Sequence, residues 1–165
     1  GFPVRNMHTF CVGPERVSST RIRDALQQGD LSGAAALLGR PYWMSGRIAH
    51  GDKRGRTIGY PTANIFLRRN SVPVAGVFAV EMHGIDGQTL QGVANVGNRP
   101  TVDGSRSLLE VHLFDFDRDI YGRHVQVSFL KKLRPEQKFD SFEQLKLQIQ
   151  QDAQQARDFF RQAAS

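Results

Sequence analysis

The chain has 165 residues, 39% of them apolar, and a formal net charge of +6. That length suits one domain with a small appendage, and the lone Cys11 excludes an internal disulfide and a cysteine metal cluster. No apolar run approaches the ~18–20 residues that span a bilayer, no signal peptide is visible, and the charge favours polyanionic partners.

The chain opens on Gly1-Phe-Pro-Val4 without an initiator Met, which predicts a piece of a longer polypeptide. With one cysteine, a reducing cytoplasm is the expected home. Residues 1–17 read as a short extended stretch. Ser18, Ser19 and Thr20 each suit the N-cap of a helix with Arg21 to Gln28 as its body and Gly29 at its end. Asp30 caps a second short helix, Leu31 to Leu38, which Gly39 stops before Arg40-Pro41. The sequence leaves open what these two helices pack against.

From Tyr42 the texture changes. Tyr42 to His50 reads as a strand, followed by a glycine-rich basic loop and a short strand from Thr62 to Phe66. Gly76 to His83 is a further strand, and Gly84 to Gly87 turns it back, with Asp86-Gly87 as the hairpin signal. Thr89 to Val96 returns, and Gly97-Asn-Arg-Pro100 is expected to break the chain. Leu108 to Phe116 alternates, with Leu109, Val111 and Leu113 on one face and Glu110 and His112 on the other. Asp117 to Gly122 is a turn and His124 to Leu133 another strand. Short strands at near-regular spacing predict a small antiparallel barrel. Ser141 and Gln144 then fit a capping box, and Phe142, Leu145, Ile149, Ala153, Ala156 and Phe160 form one apolar stripe. That pattern predicts a C-terminal helix packed outside the barrel.

The chemistry concentrates in Gly51-Asp-Lys-Arg-Gly-Arg-Thr-Ile-Gly-Tyr-Pro-Thr-Ala-Asn64. Gly51, Gly55 and Gly59 recur every fourth residue, with Lys53, Arg54 and Arg56 between them. Such a loop exposes successive N–H groups to an anion. The other reading is a flexible basic surface loop; it is not a Walker loop, lacking the Gly-Lys-Ser/Thr ending and the following helix. Thr62 and Asn64, two apart, share one face of a strand and offer hard oxygen ligands of the kind magnesium and its phosphates use. Glu110 is a candidate base for a substrate hydroxyl, or else a solvated glutamate on an amphipathic strand. His112 reads as a surface or cross-strand residue, and Asp115, Asp117 and Asp119 as turn residues. Asn95 to Thr101 is either a ligand-lining loop or an ordinary turn.

Together these pieces resemble one family. The loop from Gly51 to Asn64 is similar to the signature of riboflavin kinases, as are Gly92-Val-Ala-Asn-Val-Gly-Asn-Arg-Pro-Thr101, Leu109 to Gly122, and Leu133-Arg134-Pro135 leading to Phe139-Asp140-Ser141. Order and spacing match over residues 40–162, with Asn98-Arg99 a local departure. Val17-Ser-Ser-Thr-Arg-Ile-Arg23 resembles the C-terminal signature of nucleotidylyltransferases, so residues 1–40 look like the end of the adenylyltransferase module of bifunctional riboflavin kinase/FAD synthetases. Residues 41–165 would be the kinase domain.

The resemblance implies a mainly β fold: a six-stranded antiparallel Greek-key barrel with a C-terminal α-helix packed outside, preceded by two short helices. It implies phosphorylation of the riboflavin 5′-hydroxyl to FMN, with Mg2+ required and ATP as co-substrate, leaving ADP. Thr62 and Asn64 would meet the metal and phosphate oxygens. The loop of Gly51, Lys53, Gly55 and Gly59 would cover the ATP phosphates. Glu110 would be the base, and Arg134 would lie beside the flavin. FAD synthesis is not expected from this chain, nor is a nucleic-acid or membrane partner. The competing reading is a basic barrel that binds nucleic acid, or flavin, without catalysis. Against the former, four cations crowd between Arg47 and Arg56 beside Asp52, which suits a triphosphate better than a long strand.

Overall fold

The computed structural model describes residues 11–12, 15–16, 18–49, 59–67, 71–102 and 104–165. A two-stranded ladder comes first, β1 (Cys11–Val12) against β2 (Glu15–Arg16). Helix α1 (Ser19–Gln27) starts at Ser18, whose hydroxyl accepts from the Arg21 N–H at 3.2 Å. Helix α2 (Leu31–Leu38) starts at Asp30, which accepts from the Gly33 N–H at 2.9 Å. Both caps satisfy N–H groups that a helix start leaves without a partner. Gly39 ends α2 at φ +76°, a left-handed conformation that glycine adopts without steric cost.

Six strands then form a closed antiparallel barrel: β3 (Tyr42–Ala49), β4 (Ala63–Phe66), β5 (Gly76–Ile85), β6 (Gln88–Thr101), β7 (Gly104–Leu113) and β8 (His124–Arg134). Around the barrel the order is β3-β4-β7-β6-β5-β8, and β8 closes on β3. Strands β5, β6 and β7 run as a meander; β4 lies beside β7 and β8 beside β5, two overlapping Greek keys. The β5–β6 turn has Asp86 at φ +52° and Gly87 at φ +72°, the two positive angles of a type I′ hairpin. The long helix α3 (Phe142–Ala164) follows, capped by Ser141.

Alternation along the strands separates two apolar layers. Inward residues such as Phe78, Val80, Leu109, Val111, Val127 and Phe129 fill the barrel and are fully buried. Outward Val77 and Ala79 of β5, with Val93 and Phe114, are covered by Ala153, Ala156 and Phe160 of α3. Strand β5 is therefore buried on both faces from Val77 to Val80, which explains the apolar run there. Leu26, Leu31 and Ala34 join the barrel cluster, and α2 packs on β3 and β8. The two leading helices thus cap the barrel.

Three expectations shift. Strand β6 does not break at Gly97–Pro100: it stays paired with β7 from Gly97↔Leu108 to Thr101↔Gly104. Ladder bonds outweigh the local turn signal there. Thr62 precedes β4 rather than lying in it. Phe142, placed on the apolar stripe, is 52% exposed, because the helix meets the barrel only further along.

Candidate active site

The strand registers place one row of residues around most of the barrel. Asn64 of β4 is opposite Glu110 of β7, Glu110 opposite Asn95 of β6, Asn95 opposite Val77 of β5, and Val77 opposite Arg134 of β8. Directly opposed residues point to the same face of a sheet. Leu109 and Val111 point inward, so Glu110 and its row face out of the barrel. Asn64 is nonetheless buried, at 9% exposure.

Against this row lies a cavity of about 430 Å³, lined by Tyr60, Thr62, Asn95, Glu110, His112 and Arg134 on the barrel side. Glu136, Gln137 and Phe139, with Leu145, Ile149 and Asp152 of α3, form the facing wall. Glu136 packs over Gly97: a Cβ there would come within 2.1 Å of Glu136 Oε1. A side chain at 97 would therefore require the Glu136 carboxylate to move aside.

Arg134 is held firmly. Its Nε donates to Asp152 Oδ1 at 2.9 Å and Nη2 to Oδ2 at 2.8 Å, while Nη1 donates to the Pro135 carbonyl at 3.0 Å. Asp152 also accepts from Gln148 Nε2 at 3.0 Å and is buried. Its planar carboxylate matches the guanidinium fork, so the pair ties the end of β8 to α3. The Arg134 guanidinium also lies 5.6 Å from the Phe139 ring centre.

His112 forms a second tie. Its Nδ1 is 2.9 Å from the Pro61 carbonyl oxygen, and its ring meets Tyr60 edge-on at 5.1 Å. Burial holds the imidazole below its usual 6.5; the Pro61 hydrogen bond raises it in part, and Arg157 of α3 lowers it further.

A second cavity of about 350 Å³ lies beyond Thr62, lined by Ile48, Pro61, Ala63, Phe116, Asp119 and Tyr121 among others. Thr62 lines both cavities.

Of the residues singled out by sequence, Thr62, Glu110 and Arg134 thus share one cavity, and Asn64 sits in register beside Glu110. Gly59, at φ +83°, enters the Tyr60-Pro61 turn. Gly51, Lys53 and Gly55 lie outside the described residues. Among the described residues no group of three His, Cys, Asp or Glu could hold a metal ion. The Thr62 hydroxyl and the Asn64 amide are neutral hard oxygens of the kind that could serve an ion keeping waters and phosphate oxygens. Sequence reasoning missed Asp152 and set His112 aside. Asp152 lies three residues after Ile149 and four before Ala156, on the helix face turned to the barrel, and a carboxylate there was the available signal.

A family model described as riboflavin kinase (flavokinase) matches residues 38–160. A bifunctional riboflavin kinase/FMN adenylyltransferase of Escherichia coli strain K12 is 54% identical over 160 residues, 97% of this chain and 51% of that protein. The protein of the same description from Bacillus subtilis strain 168 is 43% identical over 150 residues, 88% and 47% of the two chains. The chain thus spans about half the length of the curated relatives it matches. A crystal structure described as a macrolide-efflux protein from Streptococcus pneumoniae superposes with a TM-score of 0.78 at 42% identity, over 87% of this chain and 47% of that one. Riboflavin kinase from Trypanosoma brucei shares the fold at a TM-score of 0.50 and 22% identity, over 73% of this chain and 78% of that one. Among the described residues no helix is long and apolar enough to cross a membrane.

Proposed function

The chain belongs to the riboflavin kinase family, and from that premise we propose that it transfers the γ-phosphoryl group of ATP to the 5′-hydroxyl of riboflavin, giving FMN and ADP. The observation that carries the reading is the position of Thr62 on the wall between two cavities, one of which also holds Glu110. A kinase must bind two substrates and bring them together at one point. The cavity with the candidate base takes the alcohol, and the other takes the nucleotide. At about 430 Å³ the first lies within the usual ~300–1,000 Å³ range of small-molecule sites.

Glu110 accepts the hydroxyl proton as the 5′-oxygen forms its bond to the γ-phosphorus. The bond from that phosphorus to the β–γ bridging oxygen breaks, and ADP leaves. Thr62 and Asn64 would hold phosphate oxygens and Mg2+, which would neutralise developing charge. Gly51, Lys53, Gly55 and Gly59 would cover the phosphates from above. Phosphoryl transfer depends mainly on such positioning and charge neutralisation. Arg134, oriented by Asp152, forms part of the flavin wall.

We assign residues 1–40 to the end of a preceding adenylyltransferase module and residues 41–165 to the kinase. The start of the family match at residue 38 and the bifunctional description of the relatives support that division. The ATP requirement suits a cytoplasmic enzyme. Incubation with riboflavin, ATP and magnesium, followed by chromatography of the flavins, tests the whole reading. FMN is expected only with magnesium, and FAD not at all. A failure to form FMN removes the kinase reading; FAD would overturn the division into modules.

A further inference from the structure

We infer that His112 is a positioning residue that sets the peptide plane carrying Thr62. Pairing between β4 and β7 ends at Ala63↔Val111. One step further along β7, the His112 side chain bonds the Pro61 carbonyl, 51 residues away in sequence. A carbonyl only accepts, so the His112 ring carries its proton on Nδ1 and donates it. The proline ring fixes φ of residue 61, which leaves ψ as the one soft torsion before the next peptide plane. Holding the Pro61 oxygen fixes that torsion. Because the peptide unit is planar, it also fixes the N–H and Cα of Thr62. The Tyr60 ring, edge-on to His112 at 5.1 Å, packs against the same ring. His112 therefore extends the ladder by one step with a side chain. The contact itself stands on geometry; its bearing on catalysis rests on the kinase reading above, in which Thr62 holds phosphate oxygens at the cavity it shares with Glu110.

The test has two arms. Nitrogen-15 NMR of the unmodified protein reads the tautomer directly: the Nδ1–H form is expected, and the Nε2–H form would overturn the inference. In the second arm, His112→Phe keeps an aromatic ring but has no donor. It should lower kcat/KM for Mg-ATP about 10- to 100-fold, a larger loss than it causes in riboflavin affinity, read by fluorescence quenching, since the ring also lines that cavity. His112→Asn places an amide N–H where Nδ1–H was and should recover to within about threefold of the wild type. Loss of riboflavin affinity with Mg-ATP kinetics intact would make His112 a wall residue only and sink the proposal. So would equal defects in the Phe and Asn variants. If the wild-type protein forms no FMN, the reaction assignment fails by itself, and the tautomer still decides the contact.

Discussion

Glu110 lies between two amide side chains, Asn64 and Asn95, on the strands to either side. Its neighbours can hydrogen-bond a glutamine nearly as well as a glutamate, so Glu110→Gln should fold and bind riboflavin normally. It lacks the proton acceptor, and turnover is expected to fall about 10²- to 10⁴-fold. Normal turnover in a flavin-production assay would show that the base lies elsewhere. His112 carries a prediction of the opposite kind, read in stability. Burial sets its folded pKa below 6.5, and Arg157 on α3 adds to that, while Glu110 lies two residues away on the same strand face. The unfolded chain therefore binds this proton more readily, so stability rises with pH through that window. The contribution is complete above about 6.5 and lost as pH falls through the folded value. Denaturant melts of wild type against His112→Asn should diverge as pH rises through that range. Asp86 acts much lower: its carboxyl is held below the usual 3.8 by hydrogen bonds from Arg118 and then Arg123, so its loss falls in a separate acid window.

At the scale of elements, the weight falls on the join between β8 and α3. Removing the carboxylate of Asp152 leaves the Arg134 guanidinium, only 18% exposed, without its charge partner. Breaking one side of a buried pair costs about 3–5 kcal/mol, and Asp152→Ala should approach the lower figure because Arg134 keeps some solvent and its bond to Pro135. Urea unfolding measures this; a loss under about 1 kcal/mol would mean the pair adds little. The same join shows where sequence reading succeeds and stops. Local signals disclosed the elements: Asp30 as a cap and Ser18 as one of three candidate caps, Asp86-Gly87 as a turn, and the alternation from Leu109 to Leu113. Thr62, Glu110 and Arg134 could be picked out by residue type, spacing and family likeness. The Arg134–Asp152 and His112–Pro61 contacts could not, because their partners are 18 and 51 residues apart and depend on the final register. The break expected at Gly97–Pro100 failed for a related reason, since a paired neighbour outweighs a local turn preference.

For the whole molecule, the leading helices and the barrel share one apolar cluster through Leu26, Leu31 and Ala34. Calorimetry should therefore show a single unfolding transition. Leu31→Ala, at a 5% exposed position, should shift that entire transition by about 2–5 kcal/mol. A separate early melt of the helices would contradict this coupling.

The row from Asn64 to Arg134 also has a consequence for the timing of synthesis. Its members arrive at the ribosome exit in the order 64, 77, 95, 110, 134, and Asp152 follows. Glu110 can find its two amide neighbours while the chain is still growing. The far wall, however, must wait for the closing strand and the last helix. A nascent chain released before that point would carry Glu110 and the Thr62 elbow but no enclosed pocket. The cavity is thus closed last, when Arg134 reaches Asp152.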